Sequence, residues 1–208
     1  MQAPLWHSRG WQAYMLLMLA FNAVIWIEPL LEMAQSPISG PLYVGLGFTC
    51  HQLDSRSLCI WPQGGERGFV GDCTPQDGKF RAGKNEIVTA ASPVDTGASG
   101  SGLQYGYKIP VCSRDISIYG GMLLGGLLWL ALIPRLKLKP SDWPHPVWLV
   151  LALVPLAVDG FTQLFGWQES TNAIRLWTGL LAGVAMAFYA LPSFYILLRH
   201  MEKKTEKK

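Results

Sequence analysis

The sequence predicts an all-α membrane protein, a four-transmembrane-helix bundle with a large extracytoplasmic loop between its first and second helices. Three observations predict it. Hydrophobic residues make up 50% of the chain and charged residues 15%, against about 25% charged in ordinary soluble domains. Four stretches are apolar over the roughly 20 residues that a helix needs to cross a hydrocarbon core. The Lys and Arg residues of the short connections gather on one side. Nine Trp suit the same setting, because Trp favours membrane–water boundaries. There is no basic stripe interleaved with aromatics, so nucleic acid is not an expected partner; the lipid bilayer is.

The first stretch runs from Ala13 to Leu31 and is interrupted by Asn22 and Glu28. A cleaved signal peptide is the rival reading. The stretch exceeds the usual apolar core of such peptides, and Glu32-Met33-Ala34 is a poor cleavage site, so a retained helix is expected. The second, Ile116 to Ile133, carries no charge. The third, Val147 to Gly166, holds one acid, Asp159, and Pro155 is expected to kink it without breaking it. The fourth, Ala173 to Leu198, has Arg175 near its start, and Ser170-Thr171-Asn172 offers side chains to cap it.

Orientation follows from the short loops. The connection from Pro134 to Pro146 carries Arg135, Lys137 and Lys139, and the tail after Leu198 is basic, whereas 167–172 has no Lys or Arg. Both termini are therefore expected in the cytoplasm, in a multi-pass protein of the cell membrane. Residues 32–115 then lie on the outer side.

Within that outer segment, Gly40–Leu53 is apolar but too short to span, and reads as an interfacial or re-entrant piece. From Trp61 to Gly102 the composition turns to Gly, Ser, Pro, Asp and Lys. A weakly structured excursion is expected there, with Val70, Phe80, Ile87 and Val88 able to support a small hairpin. Gly121-x-x-x-Gly125 and Gly179-x-x-x-Gly183 would permit close helix approach, or simply reflect the abundance of Gly in membrane helices.

All four cysteines, Cys50, Cys59, Cys73 and Cys112, fall in the outer segment, where disulfides form readily. Spacing alone leaves three pairings open. Four-helix thiol–quinone oxidoreductases carry a Cys-x-x-Cys pair, which this chain lacks.

Several fragments together carry a resemblance: Phe48-Thr49-Cys50-His51-Gln52, Arg56-Ser57, Pro110-Val111-Cys112-Ser113-Arg114-Asp115, Ile118-Tyr119-x-Gly121, Asp159-Gly160-x-Thr162-Gln163, and Glu169-Ser170-Thr171-Asn172-x-x-Arg175-x-x-Thr178-Gly179. With these the chain resembles an uncharacterised family of small prokaryotic integral membrane proteins, a domain of unknown function. The resemblance implies a fold and no established activity. Members often have Thr-Gly where this chain has Ile116-Ser117, and usually join the halves of the outer motif by a shorter loop. Residues 60–103 therefore resemble an insertion into a single 1–208 membrane domain. On that reading Cys59 and Cys73 staple the insertion, leaving Cys50 and Cys112 as the second set.

Polar residues at the membrane boundary converge on the outer face. Asp159 lies roughly 10 Å inside the third helix at helical rise and shares a face with Gln163. Arg114 and Asp115 open the second helix, and Asn172 and Arg175 open the fourth. A charge in a helix core costs roughly 2.5–3.5 kcal/mol on insertion scales, so Asp159 should pair with Arg114 or Arg175, either as a strut or as part of a site. Cys50, His51, Cys112 and Asp115 supply thiolate, imidazole and carboxylate donors suited to Zn²⁺ or another transition metal. The alternative is a Cys50–Cys112 disulfide with His51 beside it. His7, His145 and His200 are given no role.

The leading functional expectation is an outer-face polar pocket built from Cys50, His51, Gln52, Arg114, Asp115, Asp159, Gln163, Asn172 and Arg175. Were it catalytic, His51 or Asp159 would be the base and Arg114 and Arg175 would hold an anionic group such as a lipid headgroup. Two other classes stay open. One is a small-solute transporter or channel subunit, which would need a homo-oligomer. The other is a structural or assembly subunit of a larger membrane complex, with the inserted loop as the contact.

Overall fold

The computed structural model describes residues 8–48, 54–62, 69–73, 91–94 and 104–205. In chain order these form helix α1 (Arg9–Met33), a short helix α2 (Ser39–Gly47), a 3₁₀ turn at Asp54–Arg56, strands β1 (Leu58–Ile60), β2 (Val70–Asp72), β3 (Ala91–Val94) and β4 (Gln104–Lys108), then helices α3 (Ser113–Arg135), α4 (Pro146–Leu164) and α5 (Asn172–Thr205). Four of these, α1, α3, α4 and α5, are long and apolar enough to cross a membrane.

The helices run past the apolar stretches that announce them, because hydropathy marks the lipid-embedded part while caps mark the ends. Ser8 Oγ accepts from the Trp11 amide at 3.3 Å and starts α1 four residues before Ala13. Thr171 Oγ1 accepts from the Ile174 amide at 3.3 Å and starts α5. Helix α4 runs unbroken through Pro155 and ends two residues short of the expected Gly166. There the Trp167 amide donates to Thr162 O at 2.9 Å and the Gly166 amide to Gln163 O at 3.2 Å. This closing pattern requires a left-handed residue just beyond the helix, and Gly166 supplies it at φ +70°.

Glycines decide how closely α3 and α5 pack. A Cβ at Gly121 would lie 2.6 Å from Leu180 O, and one at Gly125 would lie 2.8 Å from Val184 O. From the other side, a Cβ at Gly179 would lie 2.6 Å from Arg114 O, and one at Gly183 would lie 2.9 Å from the carbonyl carbon of Ile118. Both Gly-x-x-x-Gly motifs thus form one seam in which backbone meets backbone. Helix α1 completes a three-helix core: Tyr14, Trp129, Ile133, Ala187 and Leu191 cluster there, and Tyr14 Oη donates to Met122 O at 3.0 Å.

Helix α4 stands outside that core and buries no residue fully. Polar contacts hold it at both ends. Tyr189 Oη donates to His145 O at 2.9 Å, and Arg114 Nη2 pairs with Asp159 Oδ2 near the other end. Arg9 pairs with Glu202 at 3.1 Å, so the start of α1 and the end of α5 share one end of the bundle.

The opposite end carries α2 and a four-stranded antiparallel sheet of order β2-β1-β4-β3. Strands β2 and β3 fall inside the 61–102 stretch expected to be a weakly structured excursion and pair with β1 and β4 at its borders, while 63–68, 74–90 and 95–102 lie outside the described residues. Of the hairpin candidates, Val70 lies in β2, opposite Ile60; Phe80, Ile87 and Val88 lie outside the described residues. Pro93 sits in edge strand β3, where its missing N–H costs no central ladder bond. A disulfide joins Cys59 to Cys73 with Cα atoms 5.0 Å apart, and Trp61 packs beside it. Within the apolar Gly40–Leu53 stretch, residues 40–47 lie in α2, which is pinned to α1 through Ser39, and 49–53 lie outside the described residues. The Ser39 hydroxyl lies 2.8 Å from Glu28 Oε1 and 2.5 Å from Glu32 Oε2.

Candidate functional site

The first turns of α3 and α5 meet beneath the sheet. Ser113 Oγ donates to Asn172 Oδ1 at 2.7 Å, and Ser117 Oγ lies 2.8 Å from Arg114 O and 3.3 Å from Arg175 O. The Asn172 amide nitrogen donates to Asp72 Oδ1 at 2.7 Å and to Ser57 O at 3.3 Å. Asn172, expected in the pocket, therefore works as a clamp. Its one side chain ties α3 and α5 to the sheet, with its carbonyl oxygen and both amide hydrogens used.

Arg114, on the first turn of α3, reaches α4 and pairs with Asp159, whose side chain is 9% exposed. Arg114 is thus the partner that the buried acid requires. Arg175 is not so employed. It is 2% exposed, and its Nε and Nη2 are buried with no hydrogen-bond partner. Arg56, Arg114, Cys112 and Asp159 are its electrostatic neighbours, so two of the nearby groups repel it. Arg114 Nε and Gln163 Nε2 are also buried donors without acceptors. Glu169 Oε2, between α4 and α5, is an unmet acceptor.

Cys112 occupies the residue before α3, and its side chain caps no amide of that helix. Its Sγ lies 3.2 Å from Asp115 Oδ2, one turn on. Two of the four expected metal ligands are therefore brought together. Cys50 and His51, with Gln52, lie outside the described residues, as does any Cys50–Cys112 link. Among the described residues, no group of three or more His, Cys, Asp and Glu side chains is close enough to hold a metal ion.

Sequence reasoning missed several participants. Ser57, Asp72, Ser113 and Ser117 carry no signal in isolation, because short polar side chains are common at helix ends and loops. The Glu28–Ser39–Glu32 contact was partly announced: Glu28 interrupts the first apolar stretch and is fully buried, as an acid in a spanning helix tends to be.

Fold and site together define a polytopic α-helical membrane protein whose bundle gathers a cluster of arginines under a small sheet at one end. A family model described as "Predicted membrane protein (DUF2085)" matches residues 101–189. An uncharacterized protein of Methanocaldococcus jannaschii is 42% identical over 96 residues, which is 45% of this chain and 58% of that protein. An uncharacterized protein of Methanothermobacter thermautotrophicus is 45% identical over 83 residues, 39% of this chain and 69% of that protein. The chain belongs to this family of predicted membrane proteins. Its matched part spans less than two thirds of the length of the first of these relatives. No solved structure matches. The family match contains Cys112, Arg114, Asp115, Asp159, Gln163, Asn172 and Arg175, and leaves out Cys50, His51 and Gln52.

Proposed function

We propose that the sheet end of the bundle faces the extracytoplasmic side and binds an anionic group, held by Arg175 and Arg114 and bounded by Asp159 and Gln163. One observation carries the reading: Arg175 is buried to 2% exposure with no acceptor for its Nε and Nη2. A guanidinium presents five N–H donors in a planar fork, and burying that charge unpaired costs several kcal/mol. Arg114 Nε and Gln163 Nε2 add two further unmet donors. An oxyanion supplies acceptors to all of these, and guanidinium groups match carboxylate and phosphate oxygens bidentately. The shared chemistry is phosphate-like, free or as the headgroup of a lipid. Orientation is supported by the other end of the bundle, where Arg9, Arg135, Lys137, Lys139, Arg199, Lys203 and Lys204 lie, the side that basic residues favour.

Titration of the purified protein with inorganic phosphate, in nanodiscs of zwitterionic lipid, tests the free-anion source. Mass spectrometry of lipid retained through purification tests the headgroup source. At least one is expected to score, and Arg175→Gln is expected to weaken it by roughly tenfold or more, the scale of one charge-assisted contact. Unchanged retention in both Arg175→Gln and Arg114→Ala would remove the reading.

A further inference from the structure

Helix α1 carries two acids one turn apart, Glu28 and Glu32, and the first residue of α2, Ser39, is set between them. The Ser39 hydroxyl stands 2.8 Å from Glu28 Oε1 and 2.5 Å from Glu32 Oε2. Glu28 and Ser39 are fully buried, and Glu32 is half-buried. Glu28 Oε2 is buried with no hydrogen-bond partner. This cluster shares no residue with the anion pocket proposed above and does not depend on it.

Its hydrogens do not balance with both acids ionised. A hydroxyl has one hydrogen, and an ionised carboxylate only accepts. Ser39 therefore donates to one acid, and the other contact, also at hydrogen-bond distance, takes its hydrogen from the acid. Spacing favours a proton over a metal ion in this role. Hard cations hold oxygens roughly 2.0–2.6 Å from themselves, which sets ligands at right angles about 2.8–3.7 Å apart, wider than the 2.5 Å between Ser39 and Glu32. Burial selects Glu28 as the acid that holds the proton. Ionised, it would place a charge in the spanning helix beside a second carboxylate and leave its Oε2 unmet, which is strongly unfavourable. Neutral, Glu28 donates from Oε1 to Ser39 Oγ, Ser39 donates to Glu32 Oε2, and the unmet Glu28 Oε2 is an uncharged carbonyl oxygen.

The elements packed around this end of α1 bring Tyr43 on α2, Tyr107 and Lys108 on β4, Asp115 and Tyr119 on α3 and Arg175 on α5, while Arg114 turns to Asp159 on α4. The charge that acts on Glu28 is its neighbour Glu32. We infer that Glu28, Ser39 and Glu32 form a proton-binding site, in which one exchangeable proton is held on Glu28 and bridges α1 to α2 through the Ser39 hydroxyl. Its way to water runs through Ser39 to the half-exposed Glu32: Glu28 passes a hydrogen to Ser39 Oγ as Ser39 passes its own to Glu32. Once the proton is lost, two carboxylates compete for one hydroxyl hydrogen. The docked state therefore binds the proton more tightly than a state with α2 detached, so docking is favoured while the site is filled and weakens as rising pH empties it.

Infrared spectroscopy of the full chain in a detergent without ester groups tests it, because a protonated carboxyl has a C=O stretch distinct from that of a carboxylate. An ordinary glutamate, with a pKa of about 4.3, is protonated in about one part per thousand at pH 7.3. A carboxylic acid band is expected at that pH and should fall with a one-proton profile as pH is raised. Glu28→Gln should diminish it by one group per chain. The new amide donates to Ser39 in place of the acid, so α2 amide exchange, corrected for intrinsic rates, should lose the pH dependence it has in the unsubstituted protein. No band at pH 7.3, or an undiminished band in Glu28→Gln, overturns the inference. Loss of the band at fixed pH on adding Na⁺ or Ca²⁺ also overturns it, making the site one for a metal cation. Should Glu28→Gln fail to fold, a hydrophobic carbodiimide maps the acid in the unsubstituted protein. It adds to a protonated carboxyl, whose proton passes to the carbodiimide nitrogen, and peptide mass spectrometry reads the product. Modification of Glu28 at pH 7.3 is expected to exceed that of Glu202 by roughly tenfold or more, given the ordinary protonated fraction of the latter. Modification no greater than that of Glu202 sinks the site.

Discussion

At the scale of single residues, the pair Arg114–Asp159 and the solitary Arg175 have opposite energetic positions. Asp159 is an acid inside a spanning helix whose cost is met by a guanidinium from the neighbouring helix. Removing one partner of a buried pair leaves the other charge uncompensated and costs about 3 kcal/mol or more. Asp159→Asn is therefore expected to lower the unfolding temperature in detergent. It should leave phosphate binding intact or stronger, because it removes a negative charge from the neighbourhood of Arg175. Loss of phosphate binding in a variant with an unchanged melting temperature would reverse the assignment, making Asp159 a ligand-binding group and not a strut.

At the scale of elements, the α3–α5 seam is the part least able to accept added volume. Gly183 faces the Ile118 carbonyl and Gly179 faces Arg114 O and Ser117, so a side chain at either meets backbone that cannot rotate away. Over-packing of this kind costs typically about 1–3 kcal/mol. Gly183→Val is expected to destabilise the detergent-solubilised protein by that amount in thermal unfolding followed by circular dichroism. Substitution at Gly40 or Gly45 on α2, where an added Cβ meets nothing within 4 Å, should leave the melting curve where it is. Equal shifts at Gly183 and Gly45 would contradict the seam.

At the scale of the whole molecule, a small sheet rests on the bundle, and Leu58 of β1 packs with Ile25, Leu46, Ile109, Val111 and Ile116 in one buried apolar cluster. Asn172 binds it to the helices, and the Cys59–Cys73 bridge closes it upon itself over a sequence separation of 14. A loop of that size contributes about 3 kcal/mol in the chain-entropy model. Reduction, or Asn172→Ala, is expected to raise amide exchange in 57–73 while α3 and α5 keep their protection. Simultaneous loss of helix protection would show that sheet and bundle unfold as one unit. The Arg9–Glu202 contact puts the start of α1 and the last turns of α5 at one end of the bundle. In the orientation proposed above, epitope tags at either end should be accessible only after permeabilisation, while a reagent applied from outside reaches the sheet.

Much of this architecture was legible in the residues, and the part that was not has a common cause. The four spanning helices follow from composition, because lipid forces each crossing segment to satisfy its own backbone and to face hydrocarbon with apolar side chains. That the polar residues Arg114, Asp115, Asp159, Gln163, Asn172 and Arg175 belong to one end was equally readable, since helical rise and alternating direction set depth. Which of them touch was not. Arg114 and Arg175 were equal candidates for Asp159 until the Gly179–Gly183 seam set the rotation of α5 against α3 and left Arg175 buried with no acceptor for its Nε and Nη2. Asn172 looked like a pocket residue until Ser57 and Asp72 arrived from distant strands to occupy it. Hydropathy and charge along the chain suffice to establish a membrane bundle and the end at which its ionic groups collect, because those depend on properties local to each segment. Which groups pair and which is left unmet emerges from the packed fold, because that depends on helix rotation and on contacts between residues more than 100 positions apart, such as Asn172 and Ser57.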